Sequence, residues 1–113
     1  MSTANDGVPS ISVREASERL AQPETDAVLL DVRESYEYQP RRAKGAINIP
    51  MSQLQRRLDE VPRGREVLVI CEHGVRSAQV VKFLRERLGL SRAINVAGGT
   101  EAWERQGLPM EAH

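Results

Sequence analysis

The feature that most limits how this chain can fold is a short apolar run, Val67 to Ile70, that leads directly into a loop and a helical pattern. The run is rich in β-branched residues and too short for an independent helix. It therefore predicts a strand buried on both faces, as in a parallel sheet. The helical pattern begins at Ser77, and its apolar face is formed by Val80, Val81, Leu84 and Leu88. Gly89 is well placed to end that helix.

The same alternation of strand and helix recurs along the rest of the chain. Four more apolar runs predict strands, at residues 10–13, 27–32, 46–49 and 93–97. Helical segments separate the strands, and the first begins at Ser12, which has capping-box spacing to Glu15. Five strands that alternate with helices predict a single α/β domain, a five-stranded, mostly parallel sheet with helices on both faces.

The segments between these runs have less regular patterns. Residues 34–44 are polar and predict a short helical turn followed by a loop. Ser52 has the capping position for a further helix. Near the C-terminus, Gly98 and Gly99 predict a tight turn, and Thr100 is the predicted cap of the last helix.

Composition is typical of one globular domain. The chain has 113 residues, of which 40% are hydrophobic and 28% are charged. Sixteen basic residues balance sixteen acidic residues, so the charge does not favour nucleic acid or an acidic membrane as a partner. The single cysteine excludes an internal disulfide and a multi-cysteine metal site, and no metal is expected.

The N-terminal segment predicts the cellular location of the protein as well as its domain boundaries. Residues 1–9 are small and polar, which predicts a flexible tail before a domain at residues 10–113. The tail lacks the basic and apolar regions of a secretory signal, and no apolar run in the chain is long enough to span a membrane. A cytoplasmic protein is therefore expected, and a reducing compartment suits a free thiol.

The only cysteine, Cys71, lies at the carboxyl end of the Val67 to Ile70 strand, where open parallel sheets bind their ligands. The loop and helix start that follow it are formed by Glu72, His73, Gly74, Val75, Arg76 and Ser77. Backbone N–H groups of this loop can converge on the sulfur, and Gly74 permits a left-handed turn. The helix dipole and Arg76 add positive charge beside the thiolate, the nucleophilic form of cysteine. The alternative is a small buried hydrophobe without chemistry.

Three segments together resemble the signatures of the single-domain rhodaneses. CEHGVRSA resembles the active-site loop of that family, and LLDVRESYEY followed by GAINIP resembles its upstream signature. VAGGTEAW followed by GLP resembles its C-terminal signature. The likeness covers about residues 10 to 110, and three ordered signatures are more specific than any one of them.

The resemblance implies the rhodanese fold and a sulfurtransferase that needs no cofactor. Cys71 would take a sulfane sulfur from a small anionic donor such as thiosulfate and pass it, as a persulfide, to cyanide or a thiol. Arg76 would hold the sulfonate of the donor with its planar fork of donors. His73 is interpreted as an exposed residue that tunes local charge, because persulfide transfer needs little proton movement.

Other residues have supporting roles in this interpretation. Ser77 is interpreted as a helix cap, although its hydroxyl can also point at the bound sulfur. The resemblance implies that Asp31 and Arg33 support the active-site loop through ion pairs, in which Arg33 would pair with Glu34 or Glu37.

Two positions depart from the family pattern. Between Tyr38 and Gly45 the family usually has a Gly-His pair, an apolar residue and proline, whereas this chain has three positive charges, including Arg41 and Arg42. Glu72 follows the cysteine where members that use thiosulfate often have a basic residue. A free carboxylate there would repel an anionic donor and favour less anionic donors.

Three other functions fit part of this pattern. A phosphatase or arsenate reductase of the Cdc25 type shares the fold by resemblance, but it places five residues between cysteine and arginine, whereas here four separate Cys71 from Arg76. A non-catalytic binding module commonly lacks the cysteine. A protein-to-protein persulfide carrier would keep the chemistry of Cys71 and exchange sulfur with other proteins.

Overall fold

The computed structural model of this chain describes residues 7–112, so most of the predicted tail at residues 1–9 lies outside the described residues. Its strands are β1 Ser10–Ile11, β2 Val28–Asp31, β3 Arg41–Ala43, β4 Ile47–Asn48, β5 Val67–Ile70, β6 Ala93–Val96 and β7 Met110–Ala112. Its helices are α1 Val13–Leu20, α2 Ser35–Tyr38, α3 Val75–Leu88 and α4 Gly99–Arg105, with two 3-10 helices at Met51–Arg56 and Leu58–Glu60.

The predicted parallel sheet is confirmed. Its five strands lie in the order β1-β6-β5-β2-β4, and every neighbouring pair is parallel. Strand β5 is at the centre, with Val69 opposite Leu30 on one side and Asn95 on the other. All four residues of β5 are buried, as expected for a strand covered on both faces.

Alternate residues of β5 belong to two apolar layers on opposite faces of the sheet. Val67 and Val69 pack in the layer that contains the buried side of α3, whereas Leu68 and Ile70 pack in the layer formed with α1 and α4. Trp103 of α4 is 2% exposed in this second layer. Cys71 continues the alternation and lies in the layer of α3.

Helix α3 begins two residues before the predicted start at Ser77. Gly74 precedes it with a φ of +97°, a left-handed conformation that favours glycine, and this turn lets the helix begin at Val75. The predicted end at Gly89 is confirmed, since that residue caps the helix with a φ of +68°. The predicted cap of α1 is also confirmed, because the Glu15 N–H donates to Ser12 Oγ at 3.0 Å.

Two segments differ from the predictions. Residues 34–44 contain α2 and then strand β3, which pairs antiparallel with β7 to form a separate two-stranded sheet. The helix predicted from Ser52 is wrong, because the segment forms 3-10 helices and the Ser52 hydroxyl donates to the Glu34 carboxylate at 2.7 Å. The Ser52 hydroxyl therefore pairs with a carboxylate 18 positions away in the sequence and does not cap a helix of its own segment.

No helix within residues 7–112 combines the length and the apolar character needed to cross a lipid bilayer.

Candidate active site

The sulfur of Cys71 lies in a small cradle of donors at the carboxyl end of β5. The Gly74 N–H donates to Sγ at 3.1 Å and the Ser77 N–H donates to it at 3.3 Å. The Ser77 hydroxyl lies 3.2 Å from the same atom. Because Cys71 is only 1% exposed, these groups replace water as the neighbours of the sulfur.

The start of α4 donates hydrogen bonds to the backbone of this loop. The Thr100 N–H donates to the Cys71 carbonyl at 2.8 Å, and the Glu101 N–H donates to the Glu72 carbonyl at 3.1 Å. Gly99 makes this approach possible, since a Cβ there would lie 2.4 Å from both carbonyl oxygens. The glycine pair predicted as a turn thus also brings a helix N-terminus against the loop.

Two predicted caps are wrong, and both side chains contact Cys71 instead. The N-cap of α4 is Gly98, and the Thr100 hydroxyl donates to the Cys71 carbonyl at 3.2 Å. Ser77 lies inside α3, where its hydroxyl contacts Sγ and donates to Asn95 Oδ1 at 2.6 Å. Sequence reasoning missed Asn95, although an amide inside an apolar strand is itself a signal that the side chain has a specific polar partner.

Asp31 and Arg33 form a buried ion pair below the loop, and both side chains are at most 1% exposed. The Arg33 guanidinium donates to Asp31 Oδ2 at 2.9 Å and to Glu72 Oε1 at 3.2 Å. The expected partners of Arg33, Glu34 and Glu37, are therefore wrong. The supporting role is consistent with the geometry, because Arg33 joins the end of β2 to the residue after Cys71.

Glu72 does not present a free carboxylate to the sulfur. Its side chain accepts hydrogen bonds from Arg33 and, at 2.9 Å, from Arg41. Burial opposes ionisation of Glu72, but the Arg41 hydrogen bond and the charges of Arg41 and Arg33 outweigh it and lower the pKa of the carboxyl. Arg41 and Glu72 are both departures from the family pattern, and the positive charge of Arg41 thus balances the negative charge of Glu72.

Arg76, which is partly exposed, is paired with Glu37 of α2. The guanidinium donates to both carboxylate oxygens, at 2.8 and 3.0 Å. This hydrogen bonding lowers the pKa of Glu37 to about 2 and raises the pKa of Arg76. The Glu34 N–H also donates to Glu37 at 3.0 Å, so the carboxylate is fixed at the start of α2. The sequence marks Glu37 as part of a signature but does not show which arginine it binds.

The cradle can stabilise negative charge on a sulfur atom. Donated hydrogen bonds favour an anionic acceptor, and the donors are held by a helix start and a glycine turn. Within residues 7–112 no three His, Cys, Asp or Glu side chains form a group that could hold a metal ion. The N–H groups that donate to Sγ suit a covalent reaction in which the thiolate itself is the nucleophile.

Comparison with known proteins assigns a family to this geometry. The family model described as the rhodanese-like domain matches residues 12–106, which include four of the five strands of the main sheet, the Cys71 loop and α4. The chain belongs to the rhodanese-like domain family.

Relatives of this rhodanese-like domain are similar over most of their length. A sulfurtransferase from Allochromatium vinosum is 36% identical over 105 residues, which are 93% of this chain and 96% of the relative. The thiosulfate sulfurtransferase GlpE from Actinobacillus pleuropneumoniae is 39% identical over 85 residues, 75% of this chain and 78% of that protein. A crystal structure of a rhodanese-related protein from Thermoplasma volcanium has a TM-score of 0.82 and 34% identity, covering 93% of this chain and 99% of that chain.

The predicted residues 71–77 form the rhodanese-like loop and the start of α3, but not all of them contact the sulfur. His73 is exposed, and Val75 is 56% exposed. Glu72 and Arg76 are held by partners on other elements. The groups that reach Sγ come from Gly74 and Ser77.

Proposed function

We propose that this chain is a sulfurtransferase that moves a sulfane sulfur from thiosulfate, or from another persulfide donor, to a thiophilic acceptor through a persulfide on Cys71. The observation that carries the proposal is the convergence of two backbone N–H groups and one hydroxyl on Cys71 Sγ. Membership of a family with relatives named sulfurtransferases supports it.

The reaction has two balanced steps. In the first, the Cys71 thiolate attacks the outer sulfur of thiosulfate, a new S–S bond forms, the original S–S bond breaks, and sulfite leaves with the electron pair. In the second, cyanide or a thiolate attacks the outer sulfur of the persulfide, and the Cys71 thiolate is the leaving group. Sulfur is transferred without an external oxidant or reductant, because one S–S bond replaces another before the acceptor takes the sulfur.

The N–H groups around Sγ contribute to both steps by stabilising negative charge on the sulfur. Each step begins or ends with an anion on a sulfur of Cys71, and the N–H groups of Gly74 and Ser77 donate to that position. Arg76 is partly exposed in the first turn of α3, so it can contact an incoming sulfonate while Glu37 holds its guanidinium in place. A reducing compartment such as the cytoplasm would keep Cys71 as a free thiol.

Intact mass measurement tests the proposal directly. Thiosulfate should add the mass of one sulfur to the protein, and cyanide or dithiothreitol should remove it. Cys71→Ser should abolish both the adduct and turnover, and protein that has been alkylated at this single cysteine is the matched control. Unchanged turnover in Cys71→Ser would contradict the mechanism.

A second candidate, the protein-to-protein persulfide carrier, is favoured by the surface beside the loop. Tyr36 is 78% exposed and Val75 is 56% exposed, and each directly precedes one member of the Glu37–Arg76 pair. A small anion does not need such apolar side chains, whereas a protein donor or acceptor can cover them. Sulfur transfer from a persulfidated protein that exceeds transfer from thiosulfate would favour the carrier.

The phosphatase alternative is tested by assay. The loop has four residues between Cys71 and Arg76, and Arg76 is engaged by Glu37. A cradle of this size suits one sulfur atom better than a tetrahedral phosphate. We therefore expect no turnover of aryl phosphates, and robust turnover would overturn the proposed function.

A further inference from the structure

Arg41 of β3 connects the residue after Cys71 to the last helix of the domain. Its guanidinium donates to both carboxylate oxygens of Glu72, at 2.9 and 3.4 Å, and lies 3.0 Å from the carboxylate of Glu104 in α4. The backbone carbonyl of Arg41 accepts a separate hydrogen bond of 2.9 Å from the Arg33 guanidinium. The side chain of Arg41 can therefore be changed without removing the contact that holds its backbone.

The charges around Glu72 cancel only when Arg41 is included. Arg33 pairs with Asp31 at 2.9 Å and with Glu72 at 3.2 Å, so one buried cation faces two carboxylates. Arg41 supplies the second positive charge, and the four side chains together are then neutral. The Glu104 side chain is 51% exposed, so solvent screens its charge more than that of Glu72, which is 21% exposed. Without Arg41, one unbalanced negative charge would remain at the residue that follows the reactive cysteine.

That charge would act on the sulfur because Cys71 and Glu72 are adjacent in the chain. Consecutive Cα atoms are about 3.8 Å apart, so the Glu72 carboxylate and the Cys71 sulfur are much closer than the Debye length of about 30 Å at 0.01 M salt. A donor such as thiosulfate has to bring negative charge to this sulfur, whereas an uncharged persulfide donor does not. An unbalanced carboxylate would therefore disfavour thiosulfate selectively.

Arg41 also fixes the position of the Glu72 carboxylate. Contacts to both carboxylate oxygens orient the carboxylate, and Glu104 holds the guanidinium against α4. The Glu72 backbone is fixed independently, since its carbonyl accepts a hydrogen bond from the Glu101 N–H at 3.1 Å. Substitution of Arg41 therefore removes a restraint on the Glu72 side chain while the hydrogen bond to the Glu72 backbone remains.

We propose that Arg41 is a specificity-determining residue, which allows the use of anionic sulfur donors by cancelling the charge of Glu72 next to the Cys71 sulfur. This inference rests on the proposed function, since it names the class of donor that the same site accepts. Arg41 acts through Glu72 and does not touch the donor, so it is a positioning residue. Its loss should raise KM for thiosulfate by about two- to fivefold, the effect of one partly exposed ion pair, and leave kcat/KM for an uncharged persulfide donor unchanged.

The test compares iodoacetate and iodoacetamide, two alkylating reagents of similar shape that differ in charge, so it does not require sulfur transfer. Both react with Cys71, the only cysteine, and the ratio of the iodoacetate rate to the iodoacetamide rate reports on the charge at the sulfur. At about 0.01 M salt, Arg41→Gln should lower this ratio about two- to fivefold. At about 1 M salt, where the Debye length is about 3 Å, the ratio should return towards the wild-type value.

A second substitution in the Arg41→Gln background identifies the carboxylate through which Arg41 acts. Glu72→Gln removes the unbalanced charge, so it should restore both the alkylation ratio and KM for thiosulfate to wild-type values. Glu104→Gln should restore much less, because the Glu104 side chain is more exposed. A loss that Glu72→Gln does not reverse would mean that Arg41 only stabilises the loop and would overturn the proposal. Restoration by Glu104→Gln alone would overturn it as well.

Arg42→Gln is the matched control, because it removes the same charge from the same strand, but from an arginine that pairs with Glu111 at 3.5 Å. It should change the alkylation ratio by less than about twofold. An equal fall in Arg41→Gln and Arg42→Gln would show an effect of net charge alone and would contradict the role of Arg41.

Glu72→Gln alone keeps the test decisive if Arg41→Gln does not fold. It leaves the positive charge of Arg41 unbalanced, so the alkylation ratio should rise above the wild-type value by about twofold at low salt, and the rise should shrink at high salt. An unchanged ratio at low salt would overturn the proposal. Absence of a persulfide in the unmodified protein with either class of donor would instead contradict the proposed function, so the two failures are distinguishable.

Discussion

Two hydrogen bonds, of 2.8 and 3.0 Å, join the Arg76 guanidinium to the Glu37 carboxylate. An anionic donor that approaches Arg76 meets a cation whose charge is already balanced. The remaining guanidinium donors can still bind a sulfonate, because an arginine has five N–H groups. The role of Arg76 in donor binding is therefore separable from its role in holding α2 against α3.

The first prediction separates these roles. Arg76→Ala should weaken use of thiosulfate roughly ten- to a hundredfold, since a charge-assisted hydrogen bond contributes about 1.5–3 kcal/mol. Use of an uncharged persulfide donor should fall much less. Steady-state kcat/KM with both donors is the measurement. The double variant Arg76→Ala/Glu37→Gln removes the carboxylate that the single variant leaves unpaired, and equal losses with both donors there would mean that Arg76 is structural.

Glu37 gives a prediction about acid stability. Its pKa is about 2 in the folded protein, compared with an ordinary value of 4.5, so the folded state favours the ionised form. The stabilisation is fully present above pH 4.5 and is lost as the pH falls through about 2. The free energy of unfolding should therefore differ between wild type and Glu37→Gln above this range, and the difference should shrink within it. Urea titrations at several pH values measure this, and a difference independent of pH would contradict the pairing.

At the scale of secondary-structure elements, the contact between the start of α4 and the Cys71 loop is the one that positions the cradle. Thr100 and Glu101 donate backbone hydrogen bonds to the carbonyls of Cys71 and Glu72. These bonds satisfy two N–H groups at a helix start and fix the two carbonyls at the end of β5. Gly99 is the residue whose lack of a side chain allows the approach.

Gly99→Ala should therefore damage both stability and the cradle. The new Cβ would lie 2.4 Å from two carbonyl oxygens, at a φ of +63°. A left-handed alanine and overpacking together should lower the free energy of unfolding by about 2–5 kcal/mol. Gly107→Ala is the matched control, since φ there is +72° and a Cβ at that position would meet no atom of residues 7–112 within 4 Å apart from its two chain neighbours. Urea unfolding and Cys71 alkylation should show a larger effect for Gly99→Ala, and equal effects would show that the close approach is unimportant.

At the scale of the whole molecule, the buried Asp31–Arg33 ion pair connects separate parts of the fold. Both residues are 0% exposed, and Arg33 also binds Glu72 and the Arg41 carbonyl at 2.9 Å. The pair therefore links the end of β2 to the loop after β5 and to the small sheet that contains β3. Buried ion pairs of this kind are costly to break because the remaining charge is left without its partner.

Arg33→Met should lower the free energy of unfolding by about 3–5 kcal/mol, a large part of the 5–15 kcal/mol typical of a domain. Arg57→Met is the comparison, because Arg57 forms an exposed ion pair with Glu60 at 2.8 Å and its loss should have little effect. Denaturant unfolding measures both. Similar losses in the two variants would show that burial of Arg33 does not add to the strength of its pairing.

The sequence by itself determined the elements of the main sheet and the place of the reactive group. The apolar run at Val67–Ile70 indicates a strand covered on both faces, and Gly89 marks the end of the helix that follows, although that helix starts at Val75 and not at the predicted Ser77. These features depend on periodicity and on backbone conformations that few residues adopt, so they act within a few residues of the chain. The motif around Cys71 is equally local, because all seven of its residues are consecutive.

Only the tertiary structure decided which charges and amides act together. Arg76 pairs with Glu37, which is 39 positions away, and Ser77 pairs with Asn95, which is 18 positions away. Several arginines and glutamates follow β2 and β5 in the sequence, and local preferences do not choose between them. The choice follows from the strand order β1-β6-β5-β2-β4 and from the contact of α4 with the loop, since side chains form hydrogen bonds only at separations that the assembled sheet sets.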